Sequence, residues 1–192
     1  MRKKAKHKDH VWSWDFIHDS DDHNRALKWL VIIDEYTHEC LALEVARSIK
    51  ADDLIDVLAD LFLQRGLPKY IRSDNGPEFV SKKIQKYLQL AKIKTLYVKK
   101  GSPWDCYSFW GYVESFNNIL RDELLNTEIF LDVPDAKAHV RRWRNKYNHH
   151  HPHSSLGYVP PAIFSLSCLE TIPLGGRGLA SLTLAPCPLN TT

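Results

Sequence analysis

The sequence predicts an α/β fold, a mixed five-stranded sheet flanked by helices. Three observations carry this. Early segments alternate apolar and polar residues at the strand period of two. Near Leu54 the spacing changes to that of helices. Beyond it, short apolar runs alternate with helical stripes, the mark of βαβ crossovers. A sheet that opens with consecutive short-linked strands and continues through crossovers is mixed.

Each element follows from its residues. In 11–18, VWSWDFIH, Trp12, Trp14 and Phe16 face one side of a strand and Val11, Ser13, Asp15 and Ile17 the other. DSDDHNRA is a turn. Residues 27–36, LKWLVIIDEY, form a second strand, and the run Leu30, Val31, Ile32, Ile33 predicts burial on both faces. Residues 39–46 form a third. Leu54, Leu58, Leu61 and Phe62 stripe a helix that Gly66 and Pro68 stop near Arg65. The strand KYIRS leads into DNGPEF, where Pro77 suits the first turn of the next helix. Its stripe is Val80, Ile84, Tyr87, Leu88 and Ala91. IKTLYV (93–98) is the fifth strand and GSPW a loop. One long helix is expected over about 110–126 and another from about Pro134 to Asn148, with Ala136, Val140, Trp143 and Tyr147 on one face. The order βββαβαβαα is the ribonuclease-H-like arrangement.

Composition excludes several classes. With 44% apolar and 26% charged residues in 192, the chain reads as one globular domain. No apolar run approaches the ~20 residues of a membrane span, and no apolar stretch follows MRKKAKHKDH as a secretory signal requires. Cys40, Cys106, Cys168 and Cys187 form no CxxC pair, so neither a disulfide framework nor a thiolate zinc site is expected, and a reducing, cytosolic setting fits. Residues 1–10 hold five Lys/Arg against one Asp, which leaves the remainder near neutral. Charge alone therefore does not point to nucleic acid. The expected division is a basic disordered arm (1–10), a folded core (11–164) and an irregular tail (165–192).

Three carboxylates draw attention. Asp15 lies mid-strand between Trp14 and Phe16, where a carboxylate is costly unless paired or bound to metal. Its ordinary alternative is a strand-edge Asp. Asp74 ends a strand before Asn75-Gly76-Pro77, a turn that lets a phosphate approach at the next helix's N-terminus. The ordinary alternative is a turn or cap residue. Glu114 shares a helix face with Asn117, Asn118 and Arg121, opposite Val113, Phe116 and Leu120. That face could equally be only a solvated one. Three such acids suit two Mg²⁺ ions, which prefer hard oxygen ligands. Two ions ~3.5–4 Å apart can activate an attacking oxygen and stabilise a leaving one in phosphodiester chemistry.

Other clusters carry less. His149, His150, His151 and His153 lack acids and cysteines at useful spacing, and Pro152 breaks helical geometry, so no zinc site is expected. The run 141–146, RRWRNK, suits either phosphate contacts or a solvated helix face. Ser154-Ser155 beside His153 has no third group to orient a nucleophile. Trp104 and Trp110 suit either core packing or stacking on unpaired bases.

WSWDF, IRSDNGPEF, GSPW, GYVESFNNILRDELLN and YNHHHPHSSLGYVPPAIF, in this order over roughly 11–164, resemble the catalytic core of OrfB-type insertion-sequence transposases, in the retroviral-integrase superfamily of DDE enzymes. The resemblance implies that Asp15, Asp74 and Glu114 are the catalytic, metal-binding triad and that Arg121 lies near a bound DNA end. It implies two ions of Mg²⁺ or Mn²⁺ as cofactor, and nicking by water and strand transfer by a DNA 3′-OH in one site. Asn117, Asn118, Arg121, Arg141, Arg144 and Lys146 are the expected DNA-binding residues. The expected partners are insertion-sequence ends, target DNA and further copies of the chain, and the expected setting is the bacterial cytoplasm, at the nucleoid when DNA-bound. Three departures stand out. Residues 105–110 number six where the family usually has two, so 39 residues separate Asp74 from Glu114. His151 stands where the family usually has Arg. The upstream helix-turn-helix region common in the family is not expected in this chain. Two alternatives stay open: a catalytically impaired remnant that only binds DNA or partner subunits, and a nuclease of RNA–DNA hybrids.

Overall fold

Strands β1 (Val11–Ser20), β2 (Ala26–Asp34) and β3 (Cys40–Ala46) form an antiparallel meander. On the other side of β1, β4 (Tyr70–Ser73) runs parallel to it, and β5 (Lys94–Tyr97) runs parallel to β4. The order β3-β2-β1-β4-β5 makes β1 the central strand of a mixed five-stranded sheet, as the sequence predicts. The helices are α1 (Ala51–Arg65), α2 (Lys82–Leu90), α3 (Gly111–Leu120), α4 (Val133–His150) and α5 (Pro161–Glu170). The computed structural model describes residues 4–73, 76, 81–97 and 111–170.

The strand pleat sorts side chains into two cores. Trp12, Trp14, Leu30 and Ile32 pack with Leu54 and Leu58 of α1 and Ile84 and Leu88 of α2. Ile17, Trp29, Val31 and Ile33 pack with Val113, Phe116 and Leu120 of α3 and Val140, Trp143 and Tyr147 of α4. Asp15, in the same alternation as Ile17, therefore faces the α3 layer.

Local chemistry sets the ends of the helices. Gly66 (φ +85°) stops α1 and donates its N–H to Phe62 O at 2.9 Å. The Ser81 side chain accepts from Ile84 N before α2. Asp132 caps α4 by accepting from Asp135 N at 2.8 Å, with Pro134 in the first turn. Because β3 is an edge strand, its backbone needs partners, and α4 supplies them. The Asn148 amide accepts from Cys40 N (2.9 Å) and donates to Cys40 O (3.0 Å).

Four expectations need correction. The arm is ordered against the body at its end: Asp9 accepts from Trp12 Nε1 and Arg65 Nε, both at 3.0 Å, and His10 is buried edge-on to Tyr70. The tail reading fails for 165–170, which complete α5. Ser165 is buried there, and Ser167 Oγ donates to Phe164 O at 2.7 Å. The long helix is not uniform, because α3 passes into a π-helical turn (Arg121–Leu125) closed by Asn126 N donating to Arg121 O at 2.8 Å. Strand ends also shift, since β1 reaches Ser20 and β2 stops at Asp34. Pro77, Val80, the GSPW loop, Trp104, Trp110, the 105–110 stretch and 171–192 lie outside the described residues.

Candidate active site

Asp15 sits half-buried in the middle of the central strand. Its Oδ1 accepts from Phe16 N at 2.8 Å, and its Oδ2 accepts from Asn117 Nδ2 at 2.7 Å. That second bond ties α3 to β1. Glu114 is exposed three residues before Asn117 on the same helix face. Its backbone is ~4.5 Å along the axis from that of Asn117, at ~1.5 Å per residue. So the helix that carries Glu114 is held by Asn117 against the central strand that carries Asp15. Asp74 lies outside the described residues and follows Ser73, the last residue of β4, next to β1.

The Asn117 Oδ1 is buried and has no hydrogen-bond partner among the described residues. A hard oxygen acceptor left unmet beside a carboxylate fits the donor chemistry of Mg²⁺ or Mn²⁺. Among the described residues no three acidic, histidine or cysteine side chains are grouped to hold one ion.

The other expected contacts divide. Asn118, Arg121 and Arg141 are exposed. Arg144 is half-buried, and its guanidinium donates to Cys40 O (3.0 Å) and Leu41 O, so it braces α4 against β3. Lys146 Nζ lies 3.5 Å from Glu123. Glu123, in the π-helical turn, also accepts from Trp143 Nε1 (3.2 Å) and meets His151 Nε2 (3.1 Å). The contact that His151 makes in place of the usual Arg is therefore with a carboxylate of the same fold. Sequence reading placed Asn117 beside Glu114 but gave no sign of its bond to Asp15, and it missed Glu123 entirely.

His149 and His150 are exposed at the end of α4, whereas His151 and His153 turn inward. With His38, Tyr112 and Ser115 they line a cleft of about 500 Å³ beside α3. Burial, then the nearby His38 and His151, hold His153 down from the ordinary 6.5 to about 4, so it is neutral at pH 7. Its stabilising contribution is full above pH 6.5 and is lost as pH falls towards 4. His153→Gln should flatten that acid limb in a plot of urea midpoint against pH. Burial raises Asp34 to about 6, which acts with the opposite sign, so the wild-type minus variant difference is the readout.

The sheet order and flanking helices define a ribonuclease-H-like protein. Family models described as integrase core domain match residues 5–103 and 91–161, and the chain belongs to that family. The family is one of DNA integration and transposition. The chain is 35% identical over 155 residues to a 39.2 kDa protein of insertion element IS476 from Xanthomonas euvesicatoria, covering 81% of this chain and 44% of that one. It is 34% identical over 155 residues to a 31.7 kDa protein of insertion element IS407 from Burkholderia multivorans, covering 81% and 54%. It thus spans about half the length of these relatives. Among solved structures, the HTLV-2 integrase catalytic core domain in complex with magnesium matches with a TM-score of 0.63 at 18% identity, over 83% of this chain and 97% of that one. The BIV integrase catalytic core matches with a TM-score of 0.61 at 18% identity, over 85% and 97%. No helix among the described residues is long and apolar enough to cross a membrane.

Proposed function

We propose that this chain is the catalytic core of an insertion-element transposase of the DDE type, a metal-dependent polynucleotidyl transferase that nicks DNA and joins its 3′ ends to a target. The observation that carries the reading is the Asn117–Asp15 bond, which sets the helix bearing Glu114 against the strand bearing Asp15. Asp74 completes the set. It stands to Asp15 in sequence as Arg72 stands to Ser13, and Ser13 and Arg72 are partners in the β1–β4 ladder.

Asp15, Asp74 and Glu114 would hold two Mg²⁺ or Mn²⁺ ions. Bound there, the ions would activate the attacking oxygen and stabilise the leaving one. The protein's part is positioning. Asn117 fixes the rotamer of Asp15, and the packed face of α3 fixes the approach of Glu114. Asn118, Arg121, Arg141 and Lys146 line exposed faces of α3, its π-helical extension and α4, and would contact DNA phosphates, with Asn118 and Arg121 on the Glu114 face. Recognition of element ends and assembly of several copies on DNA are part of the same proposal. The bacterial cytoplasm, at the nucleoid when DNA-bound, is the proposed setting.

The test is nicking of supercoiled plasmid in Mn²⁺, with Glu114→Gln as control. That change keeps the size of the side chain and removes its charge. Nicking that disappears in the variant supports the enzyme. A folded wild type that binds DNA without nicking it would instead mark a non-catalytic remnant, and cleavage confined to RNA–DNA hybrids a nuclease.

A further inference from the structure

A buried ion pair lies against Ser13, two residues before Asp15 on β1. Arg72 Nε is 2.6 Å from Glu35 Oε1 and its Nη2 is 3.4 Å from Oε2, a two-pronged contact. Ser13 Oγ donates to the same Oε1. The side chains of Arg72 and Glu35 are 8% and 1% exposed. The group joins β1, β4 and the residue just after β2, and Glu35 N also donates to Val11 O at 3.1 Å.

Stability does not explain this group. Two charges out of water cost several kcal/mol each by general expectation, and well-packed apolar residues of like volume are often as stable or more so. Burial pushes the Glu35 carboxyl up even with the Arg72 guanidinium beside it, which fits a pair held at a cost.

Its place in the sheet supplies the reason. Residues two apart on a strand share a face. Ser13 stands two before Asp15, and Arg72 two before Asp74. Among the described residues the β1–β4 ladder comprises Val11–Tyr70, Trp12–Ile71 and Ser13–Arg72. The ion pair clamps the Ser13–Arg72 rung, two residues before Asp15 on β1.

We propose that the Ser13–Glu35–Arg72 group is a positioning device that fixes the strand of Asp15 against the end of β4 and thereby sets metal affinity. This rests on the reading of those residues as metal ligands. Fixing the spacing of ligands from behind is worth ~10–100-fold in metal affinity or activity in other sites.

The experiment compares Arg72→Met with the double variant Arg72→Met/Glu35→Leu. Urea midpoints give stability, titration calorimetry gives Mn²⁺ affinity, and plasmid nicking gives rate. The single variant strands a buried carboxylate and should lower the urea midpoint sharply. The double variant should recover most of that loss, yet bind Mn²⁺ about 10-fold or more weakly and nick correspondingly slowly at fixed Mn²⁺. A double variant with wild-type Mn²⁺ affinity overturns the proposal and leaves the triad reading intact. A wild type that neither binds Mn²⁺ nor nicks overturns both. Ser13→Ala serves if the double variant does not fold: it removes one hydrogen bond and should weaken Mn²⁺ binding about threefold, and unchanged affinity would refute the device.

Discussion

Asp15→Asn should reduce metal-dependent nicking to background, a fall on the order of 10³-fold, the scale of losing one preorganised group from a site. The substitution is nearly isosteric. Its Oδ can still accept from Asn117, so the bond that seats α3 on β1 survives in a neutral form. What disappears is the charge. A half-buried carboxylate is costly in a central strand, so the thermal midpoint should hold or rise slightly. Loss of activity with a retained fold separates ligation from folding. Asn117→Ala is the informative companion. It leaves the carboxylate charged but removes the donor at 2.7 Å that fixes its rotamer. A partial fall of about 10-fold is expected, as for groups that orient a ligand without being one. Initial nicking rates and melting curves on the same preparations check both. Asp15→Asn within threefold of wild type would sink the triad reading.

How much of this was legible beforehand follows from what a period can encode. Alternation along VWSWDFIH and the run Leu30–Ile33 predict strands because burial repeats with the pleat, and the mixed character of the sheet followed from those strands and the crossovers. Hydrogen bonds between distant elements leave no such trace. Arg144 reads as a solvated helix residue because i, i+3 and i+4 spacing describes only its own helix. The open backbone of β3 that it satisfies lies more than a hundred residues earlier. The π-helical turn is silent for a related reason. Its shifted hydrogen bond runs from Asn126 N to Arg121 O, and within it Glu123 meets Trp143 and His151 of a later segment, partners that no period within one helix encodes. The site divides in the same way. Asp15 and Glu114 stand out as residue types at marked positions, whereas the Asn117 bridge and the Glu35–Arg72 clamp exist only once the strands have met.

Phe116→Ala should be the most damaging single core change for both fold and site. Phe116 is 2% exposed and lies between Glu114 and Asn117 on the buried side of α3. Its ring meets Trp143 edge-on at 5.6 Å and Tyr147 edge-on at 4.9 Å, and Trp143 stacks on Tyr147 at 5.2 Å. Truncation to Ala in such a setting costs ~3–5 kcal/mol through lost transfer energy and the cavity left behind. That is a large share of the ~5–15 kcal/mol by which domains are stable. Leu58→Ala provides the control. Leu58, on α1, is fully buried against the opposite face of the sheet, and its truncation costs ~2–5 kcal/mol. The two variants can therefore be compared at similar loss of stability, in the cold and well below either urea midpoint. Under those conditions Leu58→Ala should nick near the wild-type rate. Phe116→Ala should nick about 10²-fold more slowly, because a helix free to shift by an ångström moves Glu114 and Asn117 together, and displacement of that size costs ~10²-fold. Equal rates for the two would mean that the hold of α3 on the sheet does not govern the chemistry, and that Glu114 owes its placement to its own loop.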